Sequence, residues 1–157
     1  MLRCMETKAK QPTLEMKTAL QPYVRAKVSN GNEWEQALIR RWWHEQHDAK
    51  GRIVWEYHLE GKYADAIWFP EWPGCGIEEP GQKVSTRFPL KDAVVVLCEA
   101  KVELDFELIG QALVYAFFAG RAGPKLLKTI IFADSGTDSM EAAAAHQGWE
   151  VVLRRHF

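Results

Sequence analysis

Cysteine is scarce in this 157-residue chain, and its few copies lie far apart. The three, Cys4, Cys75 and Cys98, are odd in number and form no CxxC pair, which argues against a disulfide framework and a cysteine-based metal site. No apolar run reaches the roughly 18 residues that a membrane span needs, so we expect no membrane partner. The N-terminus also lacks an apolar signal core, and we therefore expect an intracellular, cytoplasmic protein.

The sequence contains no GxxxxGK[ST] loop, which argues against ATP hydrolysis. Hydrophobic residues make up 47% of the chain and charged residues 26%, as in an ordinary globular domain with its own core. The net charge of −1 hides an asymmetry, because residues 1–30 carry six basic and two acidic side chains whereas residues 56–107 carry five and eleven. We therefore distinguish a basic N-terminal arm, residues 1–30, which could hold phosphate, from one domain, residues 31–157, whose acidic centre could need a cation.

Hydrophobic periodicity predicts the element order α-β-β-β-α-β-α-β. The predicted helices cover residues 33–47, 106–119 and 138–147, and the predicted strands cover residues 53–59, 63–69, 94–101, 127–133 and 149–153. Residues 70–90 are rich in proline and glycine and are expected to form an insertion, either a loop or an irregular hairpin. A helix joins the third and fourth strands, so these should be parallel, while the first three can form a meander. The expected fold class is α/β, with a mixed central sheet flanked by helices.

The tripeptide Glu99-Ala100-Lys101 follows the apolar run Val94–Cys98, which is typical of a buried strand. Because side chains alternate along a strand, Glu99 and Lys101 share the face of Val95 and Leu97. Burying charge is costly unless the charge is paired or binds a metal. Taken alone, the tripeptide fits either an ion pair where the strand leaves the core, in an unrelated α/β domain, or a functional pair.

An acid on the second strand followed by E-x-K on the third, in an α-β-β-β-α-β core, resembles the PD-(D/E)XK nuclease superfamily. The first acid is Asp65, within Tyr63-Ala64-Asp65-Ala66, where Ala64 stands in place of the family's proline. The resemblance covers roughly residues 31–134. It implies a restriction-endonuclease-like fold in which Asp65, Glu99 and Lys101 are catalytic.

The helix after the third strand carries Gln111 and Tyr115, which are four residues apart and so share one helix face. They resemble the Q-x-x-x-Y motif of exonuclease domains in recombinational helicase–nuclease complexes and in CRISPR-associated exonucleases. The resemblance implies that both side chains belong to the active site. Gly110 predicts a close approach of this helix to the sheet. The alternative is an amphipathic helix with two incidental polar groups.

The segment Gly31-Asn32-Glu33-Trp34-Glu35 resembles the G-x-x-x-E helix opening of archaeal Holliday-junction resolvases, whose glutamate belongs to the active site. Helical periodicity distinguishes Glu35 from Glu33. The residues three, four and seven positions after Glu35 are the apolar Leu38, Ile39 and Trp42, so Glu35 lies on the apolar face of the helix. The residues at the same spacings after Glu33 are mostly polar, so Glu33 lies on a mostly solvated face of the helix. We therefore predict Glu35 at the site, the alternative being a glutamate favoured at a helix N-terminus by the macrodipole.

The resemblance implies a bound Mg²⁺ or Mn²⁺ ion, because carboxylates held close together repel one another and a hard cation relieves the repulsion. Its predicted ligands are Asp65, Glu99, the carbonyl of Ala100, and Glu35. Lys101 would position a water molecule or stabilise the transition state. Gln111 would orient the nucleophile or Lys101, and Tyr115 would contact a phosphate or a base.

We therefore expect a metal-dependent deoxyribonuclease that processes DNA ends or cuts specific DNA structures. A homodimer is compatible with this function, since enzymes that cut junctions need two sites. Further candidates for DNA contacts are Trp72 and the basic residues of the arm, Lys8, Lys10, Lys17, Arg25 and Lys27. The alternative is a non-catalytic nucleic-acid-binding or assembly module with a nuclease-like fold.

Overall fold

The structure is a computed structural model, and it describes residues 31–78 and 87–154. The helices are α1 (Gly31–His47), α2 (Phe106–Arg121) and α3 (Asp138–His146). The strands are β1 (Gly51–Leu59), β2 (Lys62–Phe69), β3 (Cys75–Glu78), β4 (Val94–Leu104), β5 (Leu126–Gly136) and β6 (Glu150–Leu153). The predicted basic arm and part of the predicted insertion lie outside the described residues.

The six strands form one mixed sheet in the order β3-β1-β2-β4-β5-β6. β1, β2 and β4 are antiparallel neighbours, as the meander prediction requires, whereas β4, β5 and β6 are parallel. The parallel pairs follow from the crossover helices, since α2 joins β4 to β5 and α3 joins β5 to β6. The predicted α/β class, with a mixed sheet flanked by helices, is confirmed.

The two faces of the sheet are covered by different helices. α1 lies on one face, where its buried residues Leu38, Ile39, Trp42 and Trp43 pack on strand residues that include Trp55, Val96 and Cys98. α2 and α3 lie on the other face, where two further clusters include Val95, Leu97, Leu108 and Ala144. β4 therefore alternates between the two layers, as its apolar pattern predicts. Among the described residues, no helix is long and apolar enough to cross a membrane.

Strand β3 lies inside residues 70–90, the segment expected to form a loop or an irregular hairpin. β3 pairs in parallel with the outer edge of β1, from Gly51–Cys75 to Val54–Glu78. Its four residues show no apolar alternation, so the sequence contains no local strand signal. The open hydrogen-bonding edge of β1 explains the pairing instead.

The predicted end of the second helix also differs from the structure. α2 continues past Gly120 and is capped at Ala122, because the residue with a left-handed backbone is Gly123, at φ 75°. α3 begins at Asp138, as predicted, and its N-cap is Thr137, whose hydroxyl accepts a hydrogen bond from the Met140 N–H.

Candidate active site

The site lies where β2 and β4 stop pairing with each other. Their ladder covers only three residue pairs, from Trp68–Val96 to Ala66–Cys98. One residue beyond it, the Asp65 carboxylate accepts a hydrogen bond from the Ala100 backbone N–H, with 2.7 Å between Oδ2 and N. A side chain therefore provides the acceptor that a buried strand N–H requires after the backbone ladder has ended.

Glu99 is a buried acid at the same point, with only 1% of the residue exposed. Its carboxylate accepts a hydrogen bond from the Asp65 backbone N–H, so each acid is bonded to the backbone of the neighbouring strand. Its Oε1 atom is buried and has no hydrogen-bond partner within the described part of the chain. Burial, then the charges of Asp65 and Glu35, raise the pKa of Glu99 well above its usual range.

A break in the β1–β2 ladder exposes Asp65 to a cleft. Trp55–Ala66 and Tyr57–Ala64 are paired, whereas Glu56 and Asp65, between them, are not. Glu56 has a left-handed backbone at φ 45°, an uncommon conformation for this residue and a sign of local strain. The alternation of side chains reverses here, because Trp55 faces the α1 layer and Tyr57 the α2 layer.

The cleft beside this break contains about 220 Å³, open solvent included, and its lining residues are Glu35, Gln36, Ile39, Trp55, Glu56 and Asp65. Burial, together with the charge of Asp65, raises the pKa of Glu35 to about 7, although Lys101 opposes the shift. Burial raises the pKa of Asp65 to about 6 against the effect of its bond from Ala100, and Glu56 adds to the increase. The cleft therefore contains carboxyl groups that resist ionisation together.

α1 places Glu35 in the cleft in the way that periodicity predicts. Leu38, Ile39 and Trp42 are buried against the sheet, while Glu33 is exposed. Because Glu35 lies on the same helix face as these apolar residues, its carboxyl group reaches the edge of the core.

Lys101 is engaged by acids of the following helix. Its Nζ atom lies 2.6 Å from Glu107 Oε2 and 2.9 Å from Asp105 Oδ2. Asp105 is also the N-cap of α2, since its Oδ1 accepts a hydrogen bond from the Leu108 N–H at 2.8 Å. The bonds to Glu107 and Asp105 raise the pKa of Lys101, which therefore keeps its positive charge.

Gln111 and Tyr115 are placed differently from each other. Tyr115 packs against the second core cluster, and burial followed by the charges of Glu99 and Asp65 raises the pKa of its hydroxyl. Gln111 lies at an exposed position of α2. The prediction that Gly110 allows a close approach to the sheet is wrong, because a Cβ added there would meet nothing within 4 Å. Gly110 faces solvent.

Trp72 contributes to the core. Its ring lies 5.9 Å from Phe69 and 4.9 Å from Phe88, measured between centroids. These contacts leave it half-buried, and its predicted contact with DNA stays a prediction.

The structure thus brings Glu35, Asp65 and Glu99 within electrostatic range of one another, with Tyr115 near Glu99 and Asp65, and Lys101 near Glu35. Within residues 31–78 and 87–154, no three His, Cys, Asp or Glu side chains converge closely enough to hold a metal ion. The feature that best fits a cation is instead the buried Glu99 Oε1 atom, which has no hydrogen-bond partner among the described residues and lies beside the Asp65 carboxylate.

Sequence reasoning missed three acids around the site. Glu56 lines the cleft, and its left-handed backbone has no sequence signal, since glutamate does not favour that conformation. Asp105 and Glu107 were not predicted at the site. Their contacts with Lys101 depend on how β4 runs into α2, which periodicity does not describe.

No protein-family model matches this chain, and neither does any curated protein. Among solved structures, the chain is similar to the crystal structure of a repair endonuclease from Pyrococcus abyssi. The TM-score is 0.51 at 14% sequence identity, and the match covers 75% of this chain and 46% of that one. At this identity the similarity shows a shared fold, and the chain spans less than half of the length of that protein.

Proposed function

We propose that this protein is a divalent-metal-dependent nuclease of the PD-(D/E)XK type that hydrolyses phosphodiester bonds in DNA. The observation that carries the proposal is the buried Glu99 carboxylate, whose Oε1 atom lacks a partner among the described residues and lies next to the Asp65 carboxyl group. Burial and the charge of Asp65 both raise the pKa of Glu99, and two acids held together at the end of a strand ladder are costly unless a cation joins them. The fold shared with a repair endonuclease supports the same class of enzyme.

The residues that would hold the cation are Asp65 and Glu99, with the Ala100 carbonyl and Glu35 as further oxygen donors. All four supply oxygen, which Mg²⁺ and Mn²⁺ prefer. A divalent cation bound here would lower the pKa of a coordinated water and neutralise charge on the scissile phosphate.

The other side chains provide proton transfer and positive charge. Glu35 has its pKa raised to about 7, so near neutral pH its carboxylate can accept a proton from water. Lys101 stays protonated because Glu107 and Asp105 raise its pKa, and its ammonium group can stabilise the negative charge that develops on a phosphate. Tyr115, whose hydroxyl stays neutral, can donate a hydrogen bond to the same substrate.

The experiment is a cleavage assay with Mg²⁺ or Mn²⁺ on linear duplex, single-stranded, circular and four-way DNA. We expect cleavage by the wild type, and loss of cleavage in Glu99→Gln with the fold retained. The matched control is Glu103→Gln, an exposed glutamate on the same strand, which should cleave like the wild type. Absence of cleavage of every substrate with both metals would reject the proposal. Cleavage of circular DNA would identify an endonuclease.

A second candidate function is a nucleic-acid-binding or assembly module without turnover. Two observations favour it: Lys101 is bound by Asp105 and Glu107, and the described residues contain no group of three metal-binding side chains. Fluorescence anisotropy of labelled DNA separates the two functions. Binding that weakens with salt, without cleavage under any metal condition, would support the module.

A further inference from the structure

Helix α2 carries a row of exposed apolar side chains on its outer surface. The exposed fractions are 79% for Phe106, 53% for Leu113, 47% for Val114 and 62% for Phe117. At about 100° per residue these positions fall on one side of the helix, opposite the buried Leu108, Ala112 and Ala119. We call this surface the α2 stripe, and its members are Phe106, Gly110, Leu113, Val114 and Phe117.

Gly110 forms a gap in the middle of the α2 stripe. A Cβ built at this position meets no atom within 4 Å, so no described residue covers the helix there. A glycine in an exposed helix interior costs stability without improving the packing of α2 on the sheet. The gap can instead accept a large side chain from a neighbouring helix that approaches closely.

The charges beside the stripe are arranged so that a second copy of α2 complements the first. Glu107 lies at the start of the helix and keeps 67% of its side chain exposed while it binds Lys101, whereas Arg121 lies at the end, near the Phe117 ring. In an antiparallel pair centred on Val114, Glu107 of one copy faces Arg121 of the other. The same register places Phe117 within one helix position of Gly110 of the other copy. A parallel pair would bring like charges together.

We propose that the α2 stripe is the contact between two copies of this chain, related by a two-fold axis that makes their α2 helices antiparallel. An isologous contact needs such a self-complementary surface. The inference does not depend on the proposed nuclease activity.

The area of the stripe indicates a weak dimer. A phenylalanine buries roughly 150–250 Å² when fully covered, so Phe106 and Phe117, at 79% and 62% exposure, present on the order of 250 Å² per copy. A standard interface takes about 800 Å² per partner. The association should therefore depend on protein concentration, with monomer and dimer in exchange.

Sedimentation velocity of the full chain over a wide range of concentration tests the proposal. We expect the wild type to shift from monomer to dimer with concentration. Phe117→Glu and Gly110→Leu should each raise the dimer dissociation constant by about tenfold or more, as loss of a central contact does. The matched control is Leu126→Gln, which changes an exposed apolar residue outside the stripe and should leave the constant unchanged.

Charge reversal tests the antiparallel register. Glu107→Arg and Arg121→Glu should each weaken the dimer, and the two changes in one chain should restore it, because each copy then offers the reversed pair. Failure of the double variant to recover would overturn the register. A wild type that stays monomeric at every concentration would overturn the proposal. A loss of thermal stability in monomeric Phe117→Glu would then indicate that the chain itself covers the stripe.

Discussion

The Asp65 carboxylate accepts a 2.7 Å hydrogen bond from the Ala100 backbone N–H and thereby replaces the strand partner that β2 no longer provides. Glu99 makes the reciprocal bond, to the Asp65 backbone N–H. The two acids are therefore held in place by the sheet itself. For the same reason, a substitution at either acid changes both the charge of the site and the hydrogen bond that a backbone N–H of the neighbouring strand donates.

Two substitutions of Asp65 separate these contributions. Asp65→Ala leaves the buried Ala100 N–H without its acceptor and should lower the free energy of unfolding by about 1–3 kcal/mol. Asp65→Asn keeps an oxygen acceptor and removes a charge that burial disfavours, so its stability at pH above about 7 should equal or exceed that of the wild type. Urea unfolding of the three proteins measures both effects. Equal stability of the alanine and asparagine variants would contradict the role of the bond.

The acids of the site should make the metal-free protein less stable as pH rises. The pKa of Glu35 is raised from 4.5 to about 7 and that of Asp65 from 3.8 to about 6. Between the ordinary and the raised pKa of each acid, the folded state binds more protons than the unfolded state. The free energy of unfolding therefore falls as pH increases from about 4 to about 7. The pKa of Asp105 is lowered from 3.8, so the pH dependence that it contributes lies below this window.

Thermal unfolding with a chelator, at a series of pH values across this window, measures the trend. Glu99→Gln should flatten it, because the amide removes one of the mutually repelling carboxyl groups. Addition of Mn²⁺ should raise the melting temperature more at the alkaline end, where the acids are ionised. A stability that increases through the window would contradict the pKa shifts.

Asp105 has two bonds that can be tested separately. Asp105→Ala removes the N-cap of α2 and should lower the free energy of unfolding by about 1 kcal/mol. Asp105→Asn keeps a good cap and should retain most of the stability while it loses the ionic bond to Lys101, which is worth little near the surface. Equilibrium unfolding in urea distinguishes the two variants. Similar losses in both would mean that the ion pair, and not the cap, stabilises this helix start.

Gly110→Ala should stabilise the monomer. The position is in the exposed interior of α2, and an added Cβ would meet nothing within 4 Å. Because glycine is less favourable than alanine in a helix, the free energy of unfolding should rise by about 1 kcal/mol. Denaturation at a concentration where the protein is monomeric measures this change. A decrease would mean that the residue makes a contact that the described part of the chain does not include.

Hydrophobic periodicity was sufficient for most of the fold. The runs around Val95 and Ile131 and the stripe of Leu38, Ile39 and Trp42 predict buried strands and a helix, and each lies in the core. β3 could not be predicted, since its pairing depends on a neighbouring strand edge and not on its own residues. Gly110 was misassigned because helix periodicity gives the spacing of a residue but not which neighbour it meets.

The candidate site was predictable in part. Glu35 follows from its position on the apolar face of α1, and Glu99 from its place in a buried strand. The resemblance to a nuclease family, and not periodicity, identified Asp65 as their companion. The ion pairs of Lys101 could not be inferred, because they form only after β4 and α2 have fixed the direction of the chain between them.

The break at Glu56 and Asp65 also divides the β1–β2 ribbon into two leaves. The leaf that contains Trp55 packs on both layers, since Trp55 lies in the α1 cluster and Val54 in the cluster on the α2 side, whereas Tyr57 and Leu59 of the other leaf lie in the cluster on the α2 side. Since the reversal occurs in both strands together, their register is the same on either side of it. Any flexing of the ribbon would thus pivot at Asp65, and the width of the acidic cleft would follow the angle between the leaves.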